Sequence, residues 1–278
     1  MIKLTFRFRA LPASALAVLA AAATTLAQDH VTTFDAGNIG GWTYGPPPSF
    51  PSSGGNPGPY LRTSGIDTFA PILRTTGDSV FTGDYRARRV TGLSVDLRTF
   101  AAMSTGGRPL SLILVDDNGT PANFNDDWGL YRIGATNIPS TTQGWVSYSF
   151  EIPSDAAAVP AGWSFVQFGS GSPSQPNWDA LITDVDQVRF FYGHPEGFFI
   201  FQLWDIGADN LGIDTLCPAD HNADGVVDTQ DVSAFLSDWF ADIAGGTLVT
   251  DFDGNGTVST GDLSLFLSAW FAALAGGC

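Results

Sequence analysis

Apolar and polar positions alternate along this chain in two different rhythms. From residue 28 to about 216 the apolar runs are short and rich in β-branched and aromatic residues, and Gly, Pro, Asn and Asp punctuate them. The runs are Val31–Phe34, Ala70–Leu73, Leu93–Leu97, Leu110–Val115, Trp128–Ile133, Trp145–Ile152, Ser164–Phe168, Val188–Tyr192 and Phe199–Ile206. Short strands at this spacing, with no long amphipathic helix among them, predict an antiparallel β-sandwich or jelly roll. A unit of this size buries a core without needing disulfides. The longest interruption is Tyr44–Pro59, rich in Pro, Gly and Ser.

After residue 216 the rhythm changes to that of a helix. Val232, Phe235, Leu236 and Trp239 recur at i, i+3, i+4 and i+7, and Leu263, Phe266, Leu267 and Trp270 repeat the set. Each set makes one apolar stripe, and the two stripes are expected to bury against each other. The reading is therefore a leader (1–27), a β-sandwich (28–216) and a small α-helical module (217–278).

Each helix follows an acidic loop. Asp220, Asn222, Asp224, Asp228 and Asp231 occupy positions 1, 3, 5, 9 and 12 of the first loop; Asp251, Asp253, Asn255, Ser259 and Asp262 occupy the same positions of the second. Gly225 and Gly256 stand at position 6, where the chain must turn sharply, and Val226 and Thr257 at position 7 would lend a backbone carbonyl. Alternating oxygen donors on a tightly turning backbone suit calcium, a hard cation that takes six to eight oxygens, so two ions are expected. Asx-rich surface turns share this composition; the exact repetition of the offsets favours the metal. Pro218 before the first loop and Gly245-Gly246 before the second argue against entering helices.

With Asp at position 12 and no entering helices, the last sixty residues resemble a type I dockerin, a tandem EF-hand-like module. That resemblance implies docking onto a cohesin-like or cell-surface protein. The family's partner-choice positions 10 and 11, often Ser-Thr, are here Thr229-Gln230 and Thr260-Gly261, and the module has no Lys or Arg. Calcium binding carries over better than a standard cohesin does.

The sandwich also carries a looser likeness. Phe34-Asp35, Gly41-Trp42, Gly54-Gly-Asn-Pro-Gly-Pro-Tyr60, Phe69-Ala-Pro71 and Ala208-Asp-Asn-Leu211 resemble laminin domain IV modules and related galactose-binding-like jelly rolls. The likeness implies glycan or matrix recognition and one structural calcium near the first and last strands, where Asp35 and Asp209 stand. Aromatic faces stack on sugar rings, and Trp42, Tyr44, Trp128 and Trp178, next to turn residues, are the aromatics expected to meet a ligand.

Composition sets the compartment. Lys3, Arg7 and Arg9 precede an Ala- and Leu-rich run ending in Thr25-Leu-Ala27, which reads as a secretion signal and predicts an extracellular or cell-surface protein. The apolar run is shorter than the ~20 residues a stable membrane span needs. The formal charge is −16 from 12 basic and 28 acidic residues; the leader carries three of the basic ones and no acidic one, leaving −19 and no lysine. Such a field repels nucleic acid and anionic membranes. The two cysteines, Cys217 and Cys278, bracket the module and read as a disulfide in an exported chain, with attachment through Cys278 as the other use.

No catalytic residue is singled out. The sandwich has many Asp but only Glu151 and Glu196, and neither stands in the context of an opposed carboxylate pair. Isolated His30 and His194 give no zinc spacing. The reading is a calcium-binding recognition protein; the alternative is a polysaccharide-degrading hydrolase, or its accessory subunit, carrying a dockerin.

Overall fold

A computed structural model gives the structure of residues 30–275, apart from 36, 38, 78 and 254. The expected leader and Cys278 lie outside the described residues.

Two antiparallel sheets face each other. The first contains β1 (His30–Thr32), β3 (Leu61–Thr68), β5 (Val90–Ala101), β8 (Val146–Glu151) and β11 (Gln202–Thr215). Its axis is β11, the longest strand. On one side β11 pairs with β5 along its length; on the other it pairs first with β3 and then with β1. The second sheet runs in the order β2 (Trp42–Thr43), β4 (Ile72–Thr75), β10 (Gln187–Phe191), β6 (Pro109–Asp116), β7 (Trp128–Asn137) and β9 (Trp163–Gln167). Each of the nine apolar runs overlaps a strand, although Ala70–Leu73 is strand only from Ile72 and Phe199–Ile206 only from Gln202; β2 and β3 are additions.

Alternation places the core. Leu93, Val95 and Leu97 of β5 point inward, as do Leu110, Leu112 and Leu114 of β6 and Val188 and Phe190 of β10. The indole of Trp42 stacks on Phe190 with centroids 5.6 Å apart. A short helix α1 (Trp178–Thr183), capped by Asn177 through the Ala180 N–H, packs Trp178 edge-on against Trp163.

The two stripes form α2 (Thr229–Gly245) and α3 (Thr260–Leu274). Each begins with a capping box, Asp228 with Asp231 and Ser259 with Asp262, so the last carboxylate of each acidic loop also closes the first turn of its helix. Gly246, at φ 72°, ends α2 in the left-handed conformation. Phe235 and Phe266 are buried between the helices. Neither loop is entered directly from a helix: residues 216–219 and 246–250, just ahead of them, are non-helical. Among the described residues, no helix is long and apolar enough to cross a membrane.

Candidate functional sites

The two acidic loops share one hydrogen-bond scheme, offset by 31 residues. Asp220 accepts from the N–H groups of Asp224 (3.1 Å) and Gly225 (2.9 Å); Asp251 accepts from Asn255 (3.1 Å) and Gly256 (2.7 Å). At position 3, Asn222 and Asp253 each accept from the position-5 N–H at 3.0 Å. At position 5, Asp224 and Asn255 each accept from the position-7 N–H at 2.9 Å. Asp231 and Asp262 are fully buried and reach back across their loops, to Asn222 and Asp228 in one and to Phe252, Asp253 and Ser259 in the other.

In this scheme both oxygens of each position-1 and position-12 carboxylate accept from backbone N–H groups of their own loop. Oxygens of Asp251, Asp253 and Asp262 lie within 4.8 Å of one another. Gly225 and Gly256 take φ of 84° and 81°, as the sharp turn requires. Burial raises the pKa of Asp220; the Gly225 N–H opposes the shift, and the neighbouring Asp231 charge adds to it. At position 9, Asp228 and Ser259 cap their helices through the Gln230 and Gly261 N–H groups. All these donors are oxygens, which fits a hard divalent cation. The expected partner of Cys217, Cys278, lies outside the described residues.

A second acidic cluster sits on the first sheet. Between Asp209 and Gly212, β11 spends three residues against two of β5, a bulge with Asn210 at φ 47°. Asp209 is buried and accepts from the Asn56 and Asn210 N–H groups at 2.7 and 2.9 Å. Asn56 and Asn210 both donate side-chain N–H groups to Asp96, at 2.9 and 2.7 Å. Burial pushes the Asp209 carboxyl up to about 6; the two N–H groups oppose this, and the charges of Asp96 and Asp35 add to it. The structure thus brings Asp35 and Asp209 to one place and adds Asp96 and Asn56, which sequence reasoning missed.

The four aromatics expected to meet a ligand are core residues instead. Trp42, Tyr44, Trp128 and Trp178 are all buried. The Tyr44 hydroxyl shares a 2.7 Å hydrogen bond with that of Tyr192, deep between the sheets. The flanking turn residues mark the ends of strands and the start of α1 rather than an exposed rim, and large aromatics fill the core there.

The outer face of the second sheet carries a further apolar cluster, itself buried, its members at most 4% exposed. Ile113, Val115 and Tyr131 form a separate apolar cluster there, supported by Val166, Phe168 and Phe191, while Leu112 and Leu114 face the core. Two loops bound this face. At one end the β6–β7 loop encloses a cavity of about 410 Å³, lined by Val115, Asp117, Phe124, Asp127, Asp186 and Arg189, among others. The Arg189 guanidinium lies 4.4 Å over the Phe168 ring and 3.7 Å from Asp127. Burial lowers the Arg189 pKa to about 10, Asp127 opposes that, and Arg74 alongside adds to it. Burial likewise pushes Asp186 up to about 6, against an N–H from Asp117, with Asp117, Asp184 and Asp116 adding repulsion. At the other end the β10–β11 loop folds back: Ser111 donates to the Gly193 carbonyl at 2.7 Å, and His194 packs edge-on against Tyr131.

A scan against protein-family models gave no match, and neither did a search of curated proteins. Among solved structures the chain is similar to the N-terminal CBM22-1-CBM22-2 tandem domain from Paenibacillus barcinonensis Xyn10C, with 13% identity over 74% of this chain and 52% of that one and a TM-score of 0.42. It is also similar to TmCBM27, a carbohydrate-binding module studied for specific mannan recognition, with 9% identity over 68% of this chain and 98% of that one and a TM-score of 0.31. A third is CBM28, a non-crystalline cellulose specific carbohydrate-binding module, with 13% identity over 66% of this chain and 92% of that one and a TM-score of 0.31. The chain spans about half the length of the tandem-domain chain.

Proposed function

We propose that this chain is an exported, non-catalytic recognition protein: a sandwich that holds a polysaccharide, joined to a dockerin-like calcium module that attaches it to a cohesin-like or cell-surface partner. The observation that carries the reading is the duplicated carboxylate scheme of the loops. Residues 31 apart make the same backbone contacts, and in the second loop oxygens of Asp251, Asp253 and Asp262 converge within 4.8 Å. Convergent carboxylates repel one another until a cation neutralises them, so metal binding and ordering of the module are coupled. Asp220, Asn222, Asp224, Asp231 and the Val226 carbonyl would hold one ion; Asp251, Asp253, Asn255, Asp262 and the Thr257 carbonyl the other. Asp228 and Ser259, engaged as caps, would act through water. Asp35, Asp96 and Asp209 would hold a third, structural ion, and Cys217–Cys278 would tie the module's ends.

For the polysaccharide, the cavity beside the β6–β7 loop on the outer face of the second sheet combines the exposed Phe124 ring with Asp117, Asp127, Asp186 and Arg189, the apolar and polar make-up that sugar rings require. The strongly negative chain disfavours an anionic polymer there, so the ligand is a neutral glycan. Calorimetric titration with calcium, before and after chelation, tests the first half; retardation in gels containing neutral polysaccharides tests the second. Release of reducing sugar from the same polymers would instead favour the hydrolase alternative.

A further inference from the structure

The cavity beside the β6–β7 loop is a built pocket. The Thr120 hydroxyl donates to the Asp126 carboxylate, 2.9 Å from both oxygens, and the Asp117 N–H donates to Asp186 at 2.8 Å, so the loop is tied to itself and to the start of β10. The chain after β9 packs against the same loop. There the Gly171 N–H donates to the Asn125 carbonyl at 2.9 Å, and a Cβ at Gly169 would stand 2.3 Å from that oxygen. Only a glycine lets the two backbones come so close.

One acceptor lining this pocket lacks a donor. Asp127 is 3% exposed; its Oδ2 faces the Arg189 guanidinium at 3.7 Å, while its Oδ1 is buried and, among the described residues, receives no hydrogen bond. A buried acceptor left unpaired is costly, so the site is short of one donor. Arg189 does not supply it, because its Nε donates to Gln187 and its guanidinium lies over the Phe168 ring.

The pocket is also short. Its volume, about 410 Å³, lies toward the lower end of the ~300–1,000 Å³ of small-molecule sites. Arg189, Ile113 and Tyr131 form one row across β10, β6 and β7, and that row is covered: Ile113 and Tyr131 are buried, with Val166, Phe168 and Phe191 packed on the cluster they belong to. The pocket stops at this row, and the sheet beyond it offers no bare trough for a polymer to follow. Its charges, Asp117, Asp127 and Asp186 against Arg189, disfavour a uronate or a sulfate. Resting on the glycan reading above, we infer that the pocket takes a chain end: the terminal residue of a neutral polysaccharide enters it, donates one hydroxyl hydrogen bond to Asp127 Oδ1 and lies against the exposed Phe124 ring.

The test titrates the full chain calorimetrically with neutral oligosaccharides of glucose, mannose, galactose and xylose, each as dimer and hexamer. The dimer and hexamer of the preferred sugar are expected to bind within about threefold of each other, since residues outside the pocket add no contacts. Asp127→Asn, nearly isosteric, is expected to weaken both about tenfold, the size of one hydrogen bond to a charged group. Phe124→Ala removes an exposed ring, spares the core and is expected to weaken both by about the same factor. A hexamer reduced with borohydride, its last ring opened, tells which end enters: lost binding assigns the reducing end, retained binding the other, and either supports the inference. A hexamer that binds about tenfold or more tightly than its dimer places the chain interior in the site, and unchanged binding by either variant places the sugar elsewhere; each sinks this inference and leaves the glycan reading standing. Gel retardation by neutral polysaccharides is run in parallel. Retardation without binding of any oligosaccharide also sinks this inference alone, whereas neither retardation nor binding sinks the glycan reading with it.

Discussion

The rings of Phe235 and Phe266 lie face to face, 4.0 Å between centroids and 5° from parallel. They occupy the same position in the two repeats, and both are buried. Removing either ring leaves a cavity at the centre of a very small core. Phe235→Ala is expected to destabilise the module by about 3–5 kcal/mol, as for other buried Phe deletions. Phe271→Ala, an exposed neighbour, is expected to change stability by about 0.5 kcal/mol or less. Chemical denaturation followed through the helical circular-dichroism band of the full chain, in calcium, checks both.

Calcium should bind the loops unequally. The first loop offers four carboxylates, Asp220, Asp224, Asp228 and Asp231; the second offers three, Asp251, Asp253 and Asp262. The tighter site is expected in the first loop. Asp220→Ala should abolish the high-affinity phase of a calorimetric titration, whereas Asp251→Ala should abolish the weaker one. Equal losses from the two variants would count against the assignment.

Glycan retention should depend on the outer face and not on the buried indoles. Arg189→Ala removes the guanidinium held between Phe168 and Asp127. It is expected to weaken retardation by a neutral polysaccharide about tenfold or more and, because the buried Asp127 carboxylate loses its partner, to cost about 3 kcal/mol of stability as well, so retardation is compared at a temperature where both proteins are folded. Trp42→Ala empties a fully buried site and is expected to cost about 3–5 kcal/mol of stability.

Asp186 makes stability depend on pH with a definite sign. Its folded pKa, about 6, lies above the ordinary carboxylate value of 3.8, chiefly because it is buried among other carboxylates. Its contribution is therefore fully favourable below about pH 3.8 and is lost as pH rises through about 6. Asp186→Asn keeps an acceptor for the Asp117 N–H and removes the titration. It is expected to raise stability at pH 7 by about 1 kcal/mol, after allowing for solvent screening, and to flatten the slope between pH 4 and about 6. Thermal melts of the two proteins across that range decide it.

Much of the architecture is legible in the residues. Each apolar run became a strand because alternation and burial are one fact seen twice. The strand that escaped, β3, reads Leu-Arg-Thr-Ser-Gly-Ile-Asp-Thr, with polar residues at inward positions such as Thr63 and a glycine at φ 74°, and its pairing with β11 supplies what its own pattern lacks. The candidate sites were less evenly legible. The ligand positions of the tail loops follow from spacing along the chain, so a sequence shows them directly. The outer-face cluster joins Ile113, Tyr131 and Phe191 from three strands, and no local spacing links those. One signal was present: Leu110 to Val115 is apolar at nearly every position, which marks a strand covered on both faces rather than one. Trp42, Tyr44, Trp128 and Trp178 misled because proximity to turn residues says where a chain bends, not which way a ring points.

Across the module the indole N–H of Trp239 donates to the Ser259 carbonyl at 2.8 Å, and that of Trp270 donates to the Asp228 carbonyl at 2.7 Å. Each repeat thus holds shut the loop that belongs to its sibling. Neither half is a separable part: trimmed, swapped or grafted singly onto another protein, it would arrive with its own loop unlatched, so only the pair is a transferable unit.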